Sequence, residues 1–262
     1  DSMLTNPQTL IMLAESTQNG QFPNSKKELY ENATNILLTE HNRVHQHKTL
    51  TAHPLWELKD AAGLVCSALL ISDIEGVSLL KSNDNSYSSL PYHKSEVVLS
   101  ALTKRAFVMQ NHTEELINYS HRTIAEYLGA CYLVKLVRDG LPIGRVRSWP
   151  GVEGYPAPEL RGLYAWLTQL LPEYTDILLT SDPYGVLIYG DASCLNLSSR
   201  KALLQALTEL SEKDPWFRGQ DWSSEPLGVL STPEMANDFK EILSVQPKQL
   251  HLRSIILDSI KY

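Results

Sequence analysis

The chain has 262 residues, with 23 lysines and arginines against 30 aspartates and glutamates, so its formal net charge is −7. Hydrophobic residues make up 43% of the chain and charged residues 20%, a globular balance that excludes an intrinsically disordered protein. The acidic net charge argues against a protein that coats nucleic acid or an anionic membrane through bulk positive charge.

The three cysteines, Cys66, Cys131 and Cys194, lie far apart and form no C-x-x-C pair. This spacing argues against a disulfide framework and favours a reducing compartment. The most apolar stretch, residues 61–71, is about half as long as a bilayer span, and the first residues lack the basic region of a signal peptide. We therefore expect a cytoplasmic protein with no membrane partner. The chain opens on Asp1 directly before a helix start, which predicts a piece of a longer protein.

Helix signals dominate the first 71 residues. Asn6-Pro7 has the form of an N-cap followed by proline at the first helical position, and residues 25–28 have the form of a capping box. We expect helices that begin near Pro7 and Ser25, and a third helix from Pro54 to about residue 71.

Residues 72–140 alternate between polar loops, short apolar runs and one strongly amphipathic segment. The predicted elements are an irregular loop with one short strand near 77–80, a helix over 96–106, a hairpin of 107–109 and 116–119, and a helix over 121–137 that ends near Gly140. This order of helix, loop, helix, two strands and helix is the plan of a winged-helix domain.

Beyond residue 140, predicted helices are separated by prolines. The predicted helix starts, each an N-cap residue followed by a first-turn proline, are Asp182-Pro183, Asp214-Pro215 and Thr232-Pro233. Short helices with this punctuation resemble an α-solenoid, in which stacked helix pairs share one core. The predicted fold is thus mainly α: a helical domain over 1–50, a winged helix with a small β-hairpin over 51–138, and an α-solenoid-like region over 139–262.

No sequence motif for catalysis is present. The chain contains no G-x-x-x-x-G-K-[ST] loop, no G-x-G-x-x-G turn and no G-x-S-x-G elbow, so it is not expected to bind a nucleotide triphosphate by itself or to be an enzyme. The helix over 121–137 lacks the row of basic and amide side chains that reads base edges, so a nucleic-acid partner is not expected.

His41 and His45 are spaced to share one face of a helix, where they could bind zinc. A zincin would need glutamate at position 42, where this chain has Asn42. The alternative is an exposed helix end whose basic side chains suit the helix dipole, and we predict no metal site.

Residues 119–130, YSHRTIAEYLGA, resemble the winged-helix signature of NACHT-type STAND NTPases, which is His-x-Thr/Ser-Phe-x-Glu-Tyr/Phe-x-Ala-Ala. Residues 6–13 resemble the Asn-Pro-x-x-Leu stretch that opens the first helical domain after the NACHT nucleotide-binding core. Residues 22–31 are similar to the family's proline, cap and Leu-Tyr helix. Ile124 stands where the family has phenylalanine, and Gly129 where it has alanine.

The resemblance covers about residues 4–138 and implies two nucleotide contacts. Pro7 would pack against adenine, and His121 would reach the β-phosphate of ADP and hold the resting state. An imidazole near a helix N-terminus suits a phosphate. The alternative is that His121 only caps the helix or bonds a strand carbonyl. Glu126 and Tyr127 are expected to stabilise the interior of the winged helix and not to contact the ligand.

The implied parent is a bacterial-type ATP/ADP switch, with Mg²⁺, in signalling or antiviral defence. This chain would bind no cofactor alone, because the P-loop core would lie outside it. Its partners would be that core and a trigger, expected to be a protein, and the parent would oligomerise when activated. One alternative is a freestanding helical scaffold that binds proteins and no nucleotide. A more distant alternative is a metal-dependent hydrolase built on His41 and His45.

Overall fold

The computed structural model describes residues 22–39, 52–74, 76–78, 95–111, 116–152, 155–218, 230–244 and 249–261, with residues 10, 11, 14, 17 and 228 singly. Contacts divide the chain into two compact units, one of Met12–Glu153 and one that contains Gly154–Tyr262. The described residues are mainly helical, which confirms the predicted mainly α fold. The predicted domain boundaries at residues 50 and 138 stay predictions.

The Met12–Glu153 unit combines helices with a small sheet. Its elements are α1 (Lys26–Thr39), α2 (Leu55–Ser72), β1 (Val77–Ser78), α3 (Glu96–Leu102), β2 (Phe107–Asn111), β3 (Leu116–Tyr119), α4 (Arg122–Arg138), α5 (Ile143–Ser148) and β4 (Gly151–Val152). The predicted winged-helix order is therefore present. The helix predicted over 96–106 is shorter than expected, because a turn begins at Thr103, whose backbone amide donates to Ser100 O.

The three strands β1, β3 and β2 form an antiparallel sheet in that order. The predicted hairpin of β2 and β3 is confirmed, with Phe107 opposite Tyr119 and an irregularity in register after Met109. The short strand near 77–80 is also confirmed, because Val77 pairs with Ile117 of β3.

Helices α2 and α4 form the main helix pair of this unit. At Gly63 the two backbones approach so closely that an added Cβ would lie 2.6 Å from the carbonyl oxygen of Leu128. Helix α4 ends as predicted near Gly140, which adopts φ +105°, a conformation that glycine reaches without steric cost. The close contact fixes how α4 packs against α2, and Gly140 marks where α4 ends.

The start of α1 confirms the predicted cap. Ser25 Oγ accepts the amide proton of Glu28 at 3.1 Å. The carboxylate of Glu28 accepts from the amide of Asn24 at 2.7 Å, one residue earlier than a capping box requires. The apolar stripe packs inward through Leu29, Tyr30, Ala33 and Leu37.

The unit that contains Gly154–Tyr262 is built from short helices. Its elements are β5 (Tyr155–Pro156), α6 (Arg161–Leu170), α7 (Thr175–Leu179), α8 (Pro183–Tyr189), α9 (Leu197–Lys213), α10 (Ala236–Ser244) and α11 (Leu250–Lys261), with single 3₁₀ turns at Pro158–Leu160, Pro172–Tyr174, Ala192–Cys194 and Pro233–Met235. Helices close in sequence pack on one another around a shared apolar core that includes Leu187, Leu203, Leu207, Leu252 and Ile255. This region is therefore helical, as expected from the prolines that separate its predicted helices.

Two of the three helix starts that were predicted from an N-cap residue and a following proline are confirmed. Asp182 caps α8 through a hydrogen bond from the amide of Gly185 at 2.9 Å, and Thr232 precedes a helical turn. The prediction at Asp214 is wrong, because residues 215–218 form turns. The carboxylate of Asp214 accepts the amide proton of Trp216 at 3.0 Å, which stabilises a turn instead of a helix start.

Candidate functional site

His121 lies at the junction between β3 and α4. Its backbone is extended, with φ −144° and ψ 129°, and its carbonyl oxygen accepts the amide proton of Ala125 at 3.1 Å. His121 is therefore the N-cap residue of α4 by backbone position. Its side chain is exposed and makes no cap hydrogen bond, so the imidazole does not serve as the helix cap.

The hairpin fixes the position of this junction. Both the amide and the hydroxyl of Ser120 donate to the carbonyl oxygen of Ala106, at 2.9 and 3.1 Å. The preceding amide, of Tyr119, donates to Asn118 Oδ1 at 2.7 Å. The two Ser120 bonds hold the residue just before His121 against Ala106, which lies directly before β2, and so position the junction.

Helix α1 contributes to the same region. The hydroxyl of Tyr30 hydrogen-bonds with the side chain of Thr123, in the first turn of α4. The rings of Tyr30 and Tyr127 pack with centroids 5.7 Å apart. Burial raises the pKa of Tyr30, the bond with Thr123 lowers it, and the charge of Glu126 raises it. These contacts attach α1 to the beginning of α4.

Arg122 and Glu126 form an ion pair across the first turn of α4. Arg122 Nε lies 3.1 Å from Glu126 Oε1. The guanidinium side is open to water, with 45% of the side chain exposed, whereas the glutamate side chain is 10% exposed. Burial raises the pKa of Glu126, and the charges of Arg122 and Lys26 act in the opposite direction. Glu126 and Tyr127 are internal, as expected.

The N-terminal end of α4 is chemically suited to an anion. It presents the exposed imidazole of His121 and the half-exposed guanidinium of Arg122, and Lys26 lies close enough to act on Glu126. Backbone amides at the start of a helix add a partial positive charge. These donor types are the ones that bind a phosphate group.

The other predicted site residues fall outside the described part of the chain. Pro7, assigned to adenine, is not among the described residues, and neither are His41 and His45. Within the described residues, no group of three or more His, Cys, Asp and Glu side chains is gathered to hold a metal ion.

A groove lies elsewhere on the Met12–Glu153 unit, between α2, α3 and α4. It has a volume of about 290 Å³ and is lined mostly by apolar side chains, including Trp56, Leu64, Val98 and Tyr132. The indole of Trp56 is 64% exposed. Sequence reasoning did not single out this groove, because its walls come from segments that are distant in the chain.

An arginine–aspartate pair joins α6 and α8 in the second unit. Arg161 donates from Nε and Nη2 to the two carboxylate oxygens of Asp182, at 2.7 and 2.9 Å. The guanidinium also lies over the rings of Tyr184 and Tyr189, at 5.8 and 5.4 Å from their centroids. Since Asp182 also caps α8, this cluster attaches α6 to α8.

Among the described residues, no helix has the length and apolar character needed to cross a membrane. Comparisons with protein-family models, with curated proteins and with solved structures gave no match for this chain.

Proposed function

We propose that this chain is the regulatory part of a NACHT-type STAND NTPase, C-terminal to the nucleotide-binding core. In this proposal the winged helix clamps ADP through His121, and the helical array over 139–262 senses a partner in signalling or antiviral defence. The chain itself is not an enzyme. The core supplies the P-loop and binds Mg²⁺ with ATP or ADP, and the complete cytoplasmic protein oligomerises when a trigger, expected to be a protein, opens it.

The observation that carries this proposal is the position of His121. The imidazole is exposed at the N-cap of a 17-residue helix and is not used as its cap, and the guanidinium of Arg122 follows it. A phosphate at this place would meet a side-chain donor, a cation and a helix N-terminus together. Closure of the winged helix on ADP would then favour the resting conformation, because a ligand shifts the population toward the state that it binds better.

The proposal predicts that His121→Ala weakens ADP binding in the protein that contains the core. Loss of one charge-assisted contact to a phosphate is worth about 1.5–3 kcal/mol, or about ten- to a hundredfold in Kd. Basal activity should rise, because the resting state loses its clamp. Isothermal titration with ADP and an assay of ATP turnover measure the two effects.

Arg138→Ala is the matched control, since Arg138 is exposed at the opposite end of the same helix. It should leave the affinity for ADP unchanged. Equal ADP affinity in the wild-type protein and the His121→Ala variant would remove His121 from the switch.

A second candidate function is a helical scaffold that binds protein partners without nucleotide. It is favoured by the apolar groove beside the exposed Trp56. Sequencing the coding region upstream of Asp1 separates the two candidates. A Walker A loop roughly 150–350 residues before Asn6, a distance set by ordinary domain sizes, supports the switch. A start codon immediately before Asp1 contradicts the switch and leaves the scaffold.

A further inference from the structure

The carboxylate of Glu126 is buried among few compensating charges. The residue is 8% exposed and faces Arg122 on its own helix, with Lys26 and the phenol of Tyr30 facing it from α1. Of these, Arg122 is in direct contact, at 3.1 Å. Since an isolated carboxylate inside a protein is costly, the charge of Glu126 depends largely on this one guanidinium.

The two members of the pair differ in their freedom to leave. Arg122 is 45% exposed at its side chain, so its guanidinium can turn toward water while its long stem stays on the helix. Glu126 lies on the inner face of α4 and cannot follow. If Arg122 departs while Glu126 is ionised, a buried charge loses its closest partner, and uptake of a proton by the carboxylate relieves this cost.

We propose that Arg122 and Glu126 form a proton-dependent latch that sets the positive charge at the N-terminal end of α4. With Glu126 ionised, its carboxylate holds the guanidinium of Arg122 against the helix. When the carboxylate takes a proton from solvent, it loses its charge, and Arg122 turns outward at the end of α4 where His121 lies.

The latch links proton uptake to anion binding. An anion at the end of α4 attracts Arg122 away from Glu126 and thereby favours protonation of Glu126. By reciprocity, protonation of Glu126 tightens binding of the anion. The anion half of this inference rests on the proposed function, whereas the latch itself rests on the Arg122–Glu126 geometry.

The latch is tested by NMR titration of the 262-residue chain. The chemical shift of the Glu126 side-chain carboxyl carbon should report the titration of Glu126. The chemical shift of the Arg122 Nε–H should change with the same midpoint. Arg122→Gln should raise the pKa of Glu126, because it removes the nearest positive charge. The control Arg138→Gln, at the far end of α4, should leave that pKa unchanged. An unchanged Glu126 pKa in Arg122→Gln, or an Arg122 signal that does not follow the titration, would overturn the latch.

The anion half is tested with inorganic pyrophosphate as the probe, by calorimetric titration of the wild-type chain and Glu126→Gln. The glutamine mimics the protonated carboxyl group. At neutral pH it should bind pyrophosphate about two- to fivefold more tightly than the wild type, the scale of one surface charge pair. The difference should vanish at acidic pH, where Glu126 of the wild type is protonated. His121 is present in both proteins, so the comparison isolates Glu126.

The outcomes separate the two ideas. Equal affinities of the two proteins at every pH would overturn the link between the latch and anion binding. No pyrophosphate binding by either protein would contradict the anion site, and with it the proposed function, while the titration of Glu126 would still decide whether the latch exists.

Discussion

At the scale of single residues, Glu126 couples the stability of the Met12–Glu153 unit to pH. Because burial raises its pKa, the folded chain holds this proton more tightly than the unfolded chain does. The stabilisation is fully present below the ordinary pKa of a glutamate and is lost as the pH rises through the higher folded value. We expect the wild type to lose stability relative to Glu126→Gln across this window, as measured by urea unfolding at stepped pH values.

The comparison with Glu126→Gln cancels the other titrating groups, since both proteins share them. A stability difference that stays constant with pH would show that Glu126 has the same pKa in the folded and unfolded chains. A difference that changes in the opposite direction would mean that Arg122 and Lys26 outweigh burial.

Asp182 offers a second prediction at this scale. It caps α8 and accepts two hydrogen bonds from Arg161. Asp182→Ala should lower the free energy of unfolding by about 2 kcal/mol or more, because it removes the cap and leaves the guanidinium unpaired. Asp182→Asn keeps the capping oxygen and should fall between the two proteins. Denaturant unfolding measures this order, and equal losses for both variants would show that the cap contributes nothing measurable.

Local chemistry explains which single-residue expectations succeeded. Asp182 was recognised because the cap and the proline after it lie within one turn of chain. The same pattern misled at Asp214, since the sequence does not distinguish an aspartate that caps a helix from one that stabilises a turn. The i, i+4 spacing of Arg122 and Glu126 indicates a pair on one helix face, but the burial of that pair depends on packing with α1.

At the scale of elements, the α2–α4 contact depends on the absence of a side chain at Gly63. An added Cβ would lie 2.6 Å from Leu128 O and 2.8 Å from Tyr132 Cβ. Gly63→Ala should therefore push the helices apart and lower the free energy of unfolding by about 1–3 kcal/mol, despite alanine's better helix propensity. Thermal and urea unfolding measure the loss.

Gly144 in α5 provides the matched control, because a Cβ there would meet nothing within 4 Å. Gly144→Ala should be neutral or slightly stabilising, since alanine favours helix. If both alanine variants were equally stable, the close approach of α2 and α4 would not limit the packing of this unit.

The long elements were predictable because apolar residues recur along their whole length. Helices α2 and α4 begin and end within a residue or so of expectation, since Pro54 precedes α2 and Gly140 follows α4. The end of α3 was predicted several residues too late, because no glycine or proline after Leu102 marks the stop. The pairing of β1 with β3 also depends on long-range contacts that periodicity does not encode.

At the scale of the whole molecule, the mainly α architecture follows from hydrophobic periodicity and proline punctuation. The candidate site was only partly accessible from sequence. His121 stood in a recognisable segment, but the apposition of Tyr30 and Tyr127 joins residues far apart in the chain. Such contacts arise from tertiary packing, so they emerge only once the helices are assembled.

The exposure of the three cysteines makes the chain suited to site-selective labelling. Cys66 is buried, Cys131 is partly buried with a pKa raised by burial to about 11, and Cys194 is exposed. A maleimide dye should therefore attach first at Cys194, near the start of α9. Fluorescence from that position would report partner binding to the helical array directly, without altering His121 or its surroundings.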